Sequence, residues 1–146
     1  MTFWILNGPN LNLLGIREPA VYGRKTYGEL VEFLERTCHQ EGIQVQIFQS
    51  NHEGTLIDWV QEAMGKADGI IINPAGYTHT SVALADALKG VPVPGVEVHL
   101  SDIAHREDYR RHSFTAEGCI AQFAGEGFES YGKAIRYLKA YLEENC

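Results

Sequence analysis

Gly69-Ile70-Ile71-Ile72-Asn73 constrains this chain more than any other stretch. Three consecutive isoleucines favour an extended backbone, and a strand made of them has no polar face. Such a strand belongs in the middle of a parallel sheet, where layers on both sides cover it. The remaining sequence supplies those layers in alternation. Phe3–Asn7 reads as a first strand, and Ile43, Val45 and Ile47, alternating with Gln44 and Gln46, as a second. Val96–Leu100 reads as a fourth and Cys119–Phe123 as a fifth.

Helical patterns lie between them. Thr26-Tyr27-Gly28-Glu29 has the form of a capping box. It opens a helix to about Gln40, with Leu30, Phe33, Leu34 and Thr37 on one stripe and Gly42 as the stop. Leu56, Trp59, Val60, Ala63 and Met64 have helical spacing, Ser81–Lys89 is a short Ala/Leu helix, and Tyr131–Leu142 closes the chain. Residues 15–25 carry two glycines, a proline and three cations and read as a mobile loop. With no repeat or linker, the expectation is one α/β domain over residues 1–146. Its five-stranded parallel sheet is doubly wound, with helices on both faces.

Sheets of this kind bind ligands beyond the carboxyl ends of their strands. Asn7 and Asn10 follow the first strand, Ser50, Asn51 and His52 the second, and Asn73 to His79 the third. Glu97, His99 and Ser101 mark the end of the fourth. The site is expected on that edge. Val96, Val98 and Leu100 share one strand face, so Glu97 and His99 share the other. There a carboxylate can orient an imidazole and fix its tautomer, unless the face is merely a solvated edge. Arg106 and Arg110, four apart, share a face if their segment is helical, either on the surface or docking an anionic or hydroxylated ligand. Tyr22 is a packing anchor or a base. As a base, its phenol would need roughly 4 kcal/mol of differential stabilisation to titrate near neutrality. A neighbouring guanidinium such as Arg17 is one source. Asn7, Asn10 and Asn73 are equally at home in plain turns.

A formal net charge of −7 argues against nucleic-acid or anionic-membrane partners. Cys38, Cys119 and Cys146 are odd in number and widely spaced, which fits a reducing cytosol rather than a disulfide framework. Met1–Leu6 is too short for a signal-peptide core and lacks a basic start, so a cytoplasmic location is expected. His52-Glu53 lacks the second histidine of a zinc helix, no GxSxG occurs, and Gly125-Glu126-Gly127 is an incomplete phosphate loop.

LNGPNLNLLGIREPAVYG, INPAGYTHTSVALADAL and VEVHLSDIAHREDYRRHS together resemble the type II 3-dehydroquinate dehydratases, over essentially the whole chain. The resemblance implies a flavodoxin-like sheet and neither cofactor nor metal. It implies elimination of water from 3-dehydroquinate through an enolate to give 3-dehydroshikimate, in the shikimate pathway or in quinate breakdown. It also implies a homo-oligomer of trimers stacked into a dodecamer. On this resemblance Tyr22 is the base, with Arg17 beside it on a closing lid. Asn10 holds the water that stabilises the enolate, and His99, oriented by Glu97, is the general acid. Asn73, His79 and Arg110 bind substrate hydroxyls, Leu100 and Ser101 receive the carboxylate, and Arg106 closes the site. Asp86 reaches a neighbouring subunit's site. The family's usual SNI is here Ser101-Asp102-Ile103, followed by Ala104-His105. Asp102 adds negative charge near the carboxylate position. Two other readings use the same fold: a flavin- or nucleotide-binding module, which wants a phosphate loop where Pro9 instead removes an N–H donor, and a non-catalytic assembly protein.

Overall fold

The structure, a computed structural model, describes residues 1–16, 18–22 and 24–145, with Val21 and Tyr22 described in backbone only. Five parallel strands, β1 (Thr2–Asn7), β2 (Gln44–Gln49), β3 (Gly69–Asn73), β4 (Gly95–His99) and β5 (Ala121–Ala124), form one sheet in the order β2-β1-β3-β4-β5. The predicted alternation is the reason. Phe3 and Ile5 of β1 pack with Ile71 of β3 on one face, and Trp4 and Leu6 pack with Ile70 and Ile72 on the other. Helices α2 (Tyr27–Gln40) and α5 (Phe128–Glu144) cover the first face through Leu30, Leu34, Ile135 and Leu138. Helices α3 (Glu53–Glu62) and α4 (Val82–Gly90) cover the second through Leu56, Val60, Leu84 and Leu88. Every residue of β3 is buried, as the isoleucine run requires.

The Thr26 hydroxyl accepts the Glu29 N–H at 3.1 Å, so the cap read from the sequence opens α2. Boundaries moved where tertiary contacts decide them. β5 starts at Ala121 rather than Cys119, and α5 begins three residues before Tyr131. Within the segment expected to be a loop, Pro19–Tyr22 forms one helical turn, α1. Arg106 and Arg110 do not share an α-helical face. Their segment is two 3-10 turns, Ile103–His105 and Asp108–Arg110.

The turn after β1 is stitched to the turn after β3. The Gly8 N–H donates to the Asn73 carbonyl at 2.8 Å, and a Cβ on Gly8 would lie 2.6 Å from the Pro74 carbonyl oxygen. Only glycine allows that approach. Asn10 takes a left-handed backbone, φ +70°, which asparagine tolerates better than most residues. Its N–H donates to Asn51 Oδ1 at 3.0 Å, and Gln49 Nε2 donates to the Gly8 carbonyl at 3.2 Å. The polar residues at the end of β2 thus hold the β1 loop in place and do not line the cavity described below.

Candidate active site

A cavity of about 150 Å³ opens beyond the carboxyl ends of β1, β3 and β4. This is the reversal of strand order at which doubly wound sheets bind ligands. Asn10, Asn73, His79 and His99 line it, together with Leu100, Ser101, Arg106 and Arg110. Leu11, Leu14 and Ile103 form its apolar wall.

Glu97 and His99 point to the α3/α4 side of the sheet, as their alternation with Val96 and Val98 dictates. They are not a solvated edge: Glu97 is fully buried and His99 nearly so. Glu97 collects donors instead of water. His99 Nε2 lies 2.8 Å from its Oε2, Ser113 Oγ donates at 2.7 Å and Gln122 Nε2 at 2.6 Å, while the Thr115 hydroxyl donates to Oε1. Burial pushes the carboxyl pKa upward. The His99 ring, through hydrogen bond and charge, and the Thr115 and Ser113 hydroxyls outweigh it and bring the pKa down to about 2. Glu97 is therefore an anion, which only accepts, and the proton between it and His99 sits on Nε2. Nδ1 is left as the ring nitrogen free to carry a proton to or from a ligand.

His79 closes the 3-10 turn Ala75–His79 and does not open a helix. Its Nδ1 is 2.8 Å from the His112 carbonyl, which can only accept, so Nδ1 is protonated. Burial holds its pKa below the ordinary histidine value. The His112 carbonyl opposes that shift, and the positive fields of His99 and Arg110 add to it. The neutral ring offers Nε2 as an acceptor, suited to a hydroxyl. Arg106 Nη1 donates to Ser101 Oγ at 3.3 Å, and Arg110 Nε stands 3.3 Å from Glu107 Oε2. Two guanidinium groups on one wall suit an anionic or polyhydroxylated ligand. Gly125-Glu126-Gly127 holds no phosphate-loop geometry. Its Gly127 N–H is bonded to the Leu100 carbonyl at 3.0 Å.

Asp86 does not join this cavity. It is exposed on α4, beside a separate surface groove that includes Ile57, Met64 and Ala83. Arg17, the Tyr22 side chain and the closed state of their lid lie outside the described residues. Sequence reading passed over Thr115 and Gln122, which hold Glu97, and Tyr131, which holds Asn73. None has a local signal, because each meets its partner from a distant part of the chain. Among the described residues no group of three His, Cys, Asp or Glu side chains is placed to hold a metal ion, and no helix is long and apolar enough to cross a membrane.

A doubly wound α/β fold with a buried carboxylate–imidazole pair, neutral hydrogen-bonding groups and arginines around one small cavity has the makings of an acid–base enzyme, with a lining suited to a polar, anionic small molecule. More narrowly, the chain belongs to the type II dehydroquinase family: residues 1–139 match the family model described as Dehydroquinase class II. It is 50% identical over 142 residues to a 3-dehydroquinate dehydratase of Synechococcus sp. (strain CC9605), covering 97% of each chain. It is 48% identical over 144 residues to a 3-dehydroquinate dehydratase of Clostridium acetobutylicum, covering 99% of this chain and 100% of that one. The type II dehydroquinase crystal structure from Butyrivibrio crossotus DSM 2876 superposes with a TM-score of 0.93 at 45% identity, over 95% of this chain and 97% of that one. The five-stranded parallel sheet and its order are the flavodoxin-like arrangement expected of the family.

Proposed function

We propose that this chain is a 3-dehydroquinate dehydratase, a hydro-lyase of the shikimate pathway that converts 3-dehydroquinate to 3-dehydroshikimate and water. The observation that carries the chemistry is the buried Glu97–His99 pair opening onto a cavity lined by Asn73, His79, Ser101 and two arginines. Elimination needs a base for the proton α to the ketone, donors for the developing enolate and an acid for the hydroxyl β to the carbonyl. Tyr22, assisted by Arg17, takes the α proton, and the charge moves to the ketone oxygen, held by a water on Asn10. His99 gives its proton to the β hydroxyl. As the C–O bond breaks, the enolate electrons form the new C=C bond, the ketone is restored and water leaves. Glu97 holds Nε2–H, so the proton leaves from Nδ1. Asn73, His79 and Arg110 bind hydroxyls, Leu100 and Ser101 take the carboxylate, and Arg106 closes the site with the lid.

In the same reading residues 1–146 form one domain, and the chain works without a cofactor in the cytoplasm, where Cys38 and Cys119 stay as free thiols. It assembles as trimers stacked into a dodecamer, with the exposed Asp86 carboxylate serving a neighbouring chain's site. The alternative setting for the same reaction is quinate breakdown, in which it is one step. The test is the rise in enone absorbance when purified protein meets 3-dehydroquinate. No rise rejects the function. With an active wild type, Tyr22→Phe should lose more than nine-tenths of kcat while binding substrate nearly as well. A variant keeping more than a tenth, a loss under ~1.4 kcal/mol, removes Tyr22 from the base role.

A further inference from the structure

Tyr131 lies on α5, fully buried, and none of the steps above uses it. Its hydroxyl is nevertheless wired to the site. Asn7 and Asn73 are register partners at the ends of β1 and β3, and Tyr131 bridges them. Asn73 Nδ2 donates to Tyr131 Oη at 2.9 Å, and Tyr131 donates to Asn7 Oδ1 at 2.7 Å. The direction of this chain follows from a single backbone group. The Ala75 N–H, which can only donate, reaches Asn73 Oδ1 at 3.1 Å. The other end of that carboxamide is therefore NH2, so the Tyr131 oxygen accepts from it. The one phenolic hydrogen must then go to Asn7, whose remaining NH2 meets the Tyr27 hydroxyl at 3.4 Å. Ala75 holds φ +52°, a left-handed backbone that alanine adopts at a cost, at the position that delivers this N–H.

We propose that Tyr131 is a positioning residue for the dehydration, fixing the Asn73 carboxamide so that its second N–H faces a substrate oxygen as a donor. The inference rests on the function proposed above. The Ala75 contact alone pins one end of the amide and leaves its plane free to turn. Tyr131 pins the other end, 58 residues away in sequence. With the plane fixed, Asn73 offers the cavity a donor rather than an acceptor, and it selects an oxygen with a free lone pair.

The test is a cycle of kcat and KM for wild type, Tyr131→Phe, Asn73→Ala and the double variant with 3-dehydroquinate. Tyr131→Phe should lower kcat/KM about tenfold, the effect of roughly one hydrogen bond, mainly by raising KM. In the Asn73→Ala background the same change should alter kcat/KM less than about twofold. An unchanged kcat/KM in Tyr131→Phe, or a tenfold loss that persists without Asn73, overturns the proposal. A generally loosened fold gives the second result, since its effect does not depend on Asn73. If Tyr131→Phe does not fold, wild-type protein decides by nitrogen-15 NMR of the Asn73 side-chain amide, assigned against Asn73→Ala. One amide proton should be protected from exchange and stay in place on adding 3-dehydroshikimate, while the other shifts. Two protons that exchange alike, or shift alike, refute the proposal. A wild type that does not turn over 3-dehydroquinate refutes the functional reading instead, and the exchange asymmetry, measured without ligand, then judges the amide geometry by itself.

Discussion

On the α2/α5 face of the sheet, Asn7, Asn73 and Tyr131 bury their polar atoms without a charge. On the α3/α4 face, Glu97 and His99 bury theirs around one. Both clusters sit at the same edge, and both border the cavity, through Asn73 and His99. The neutral cluster matches donors to acceptors in a single directed chain. The charged cluster gathers an excess of donors, three on Glu97 Oε2 and one on Oε1. A desolvated carboxylate needs that many, because each lone pair left unmet in a dry interior is costly. The contrast separates two tasks. Neutral groups hold a shape that acid or base does not alter across the working range, and in the proposed mechanism the charged pair supplies the proton that moves.

The largest effect expected is on turnover. His99→Ala should lower kcat by about 10²- to 10⁴-fold, the span of general acid–base catalysis, and acidic buffer should not restore it. Asn73→Ala should act on KM first and cost far less in kcat. Steady-state kinetics of the two variants side by side measure this. If Asn73→Ala loses more kcat than His99→Ala, the neutral cluster carries the chemistry and the charged one the binding.

Next comes acid stability. The folded pKa of Glu97, about 2, lies below its unfolded value of 4.5. A carboxylate lowered in this way stabilises the fold above the unfolded value, and the contribution disappears as pH falls from about 4.5 towards 2. A difference of that size is worth about 3 kcal/mol to order of magnitude. Urea unfolding at neutral pH should therefore find Glu97→Gln less stable than wild type, and the gap should close between pH 4.5 and 2. A gap that stays constant with pH would mean that Glu97 is not a charged group in the fold.

The sequence made the two faces legible and the clusters only partly so. The apolar runs Phe3–Leu6 and Ile70–Ile72 and the alternation in Val96–Val98 are local, so the sheet and its covering helices could be read directly. Glu97 and His99 were visible for the same reason, since two residues of one strand need no knowledge of the rest of the fold. Their burial was not visible, because Thr115 and Gln122 reach Glu97 from 18 and 25 residues away. The asparagines at the strand ends drew attention as candidate ligand holders. Asn7 instead serves Tyr131, 124 residues distant, and no periodicity signals that bond. An i, i+4 spacing places Arg106 and Arg110 on one face only in an α-helix; the segment forms 3-10 turns, and both arginines reach the cavity from those turns instead.

The smallest effect expected belongs to the neutral cluster, at the alkaline end. Burial raises the Tyr131 pKa above the ordinary phenol value of 10, the Asn73 hydrogen bond lowers it in part, and the neighbouring Tyr27 adds to the rise. A raised pKa means that the fold keeps a proton which the unfolded chain releases. The stabilisation from the phenol is whole below pH 10 and is lost as pH climbs towards the folded value, by at most about 1.4 kcal/mol per pH unit. Cys38, raised to about 12, and Cys119 share that alkaline limb, so wild type alone cannot assign it. The difference between wild type and Tyr131→Phe can. It should be constant from pH 4 to 9, at about 1–3 kcal/mol for the buried partners left unmet, and should shrink above pH 10. A difference that also changes as pH falls from 4 towards 2, where folded Glu97 takes up its proton, would mean that the phenol responds to ionisation at Glu97, and the two clusters would then be one electrostatic unit reaching through the sheet.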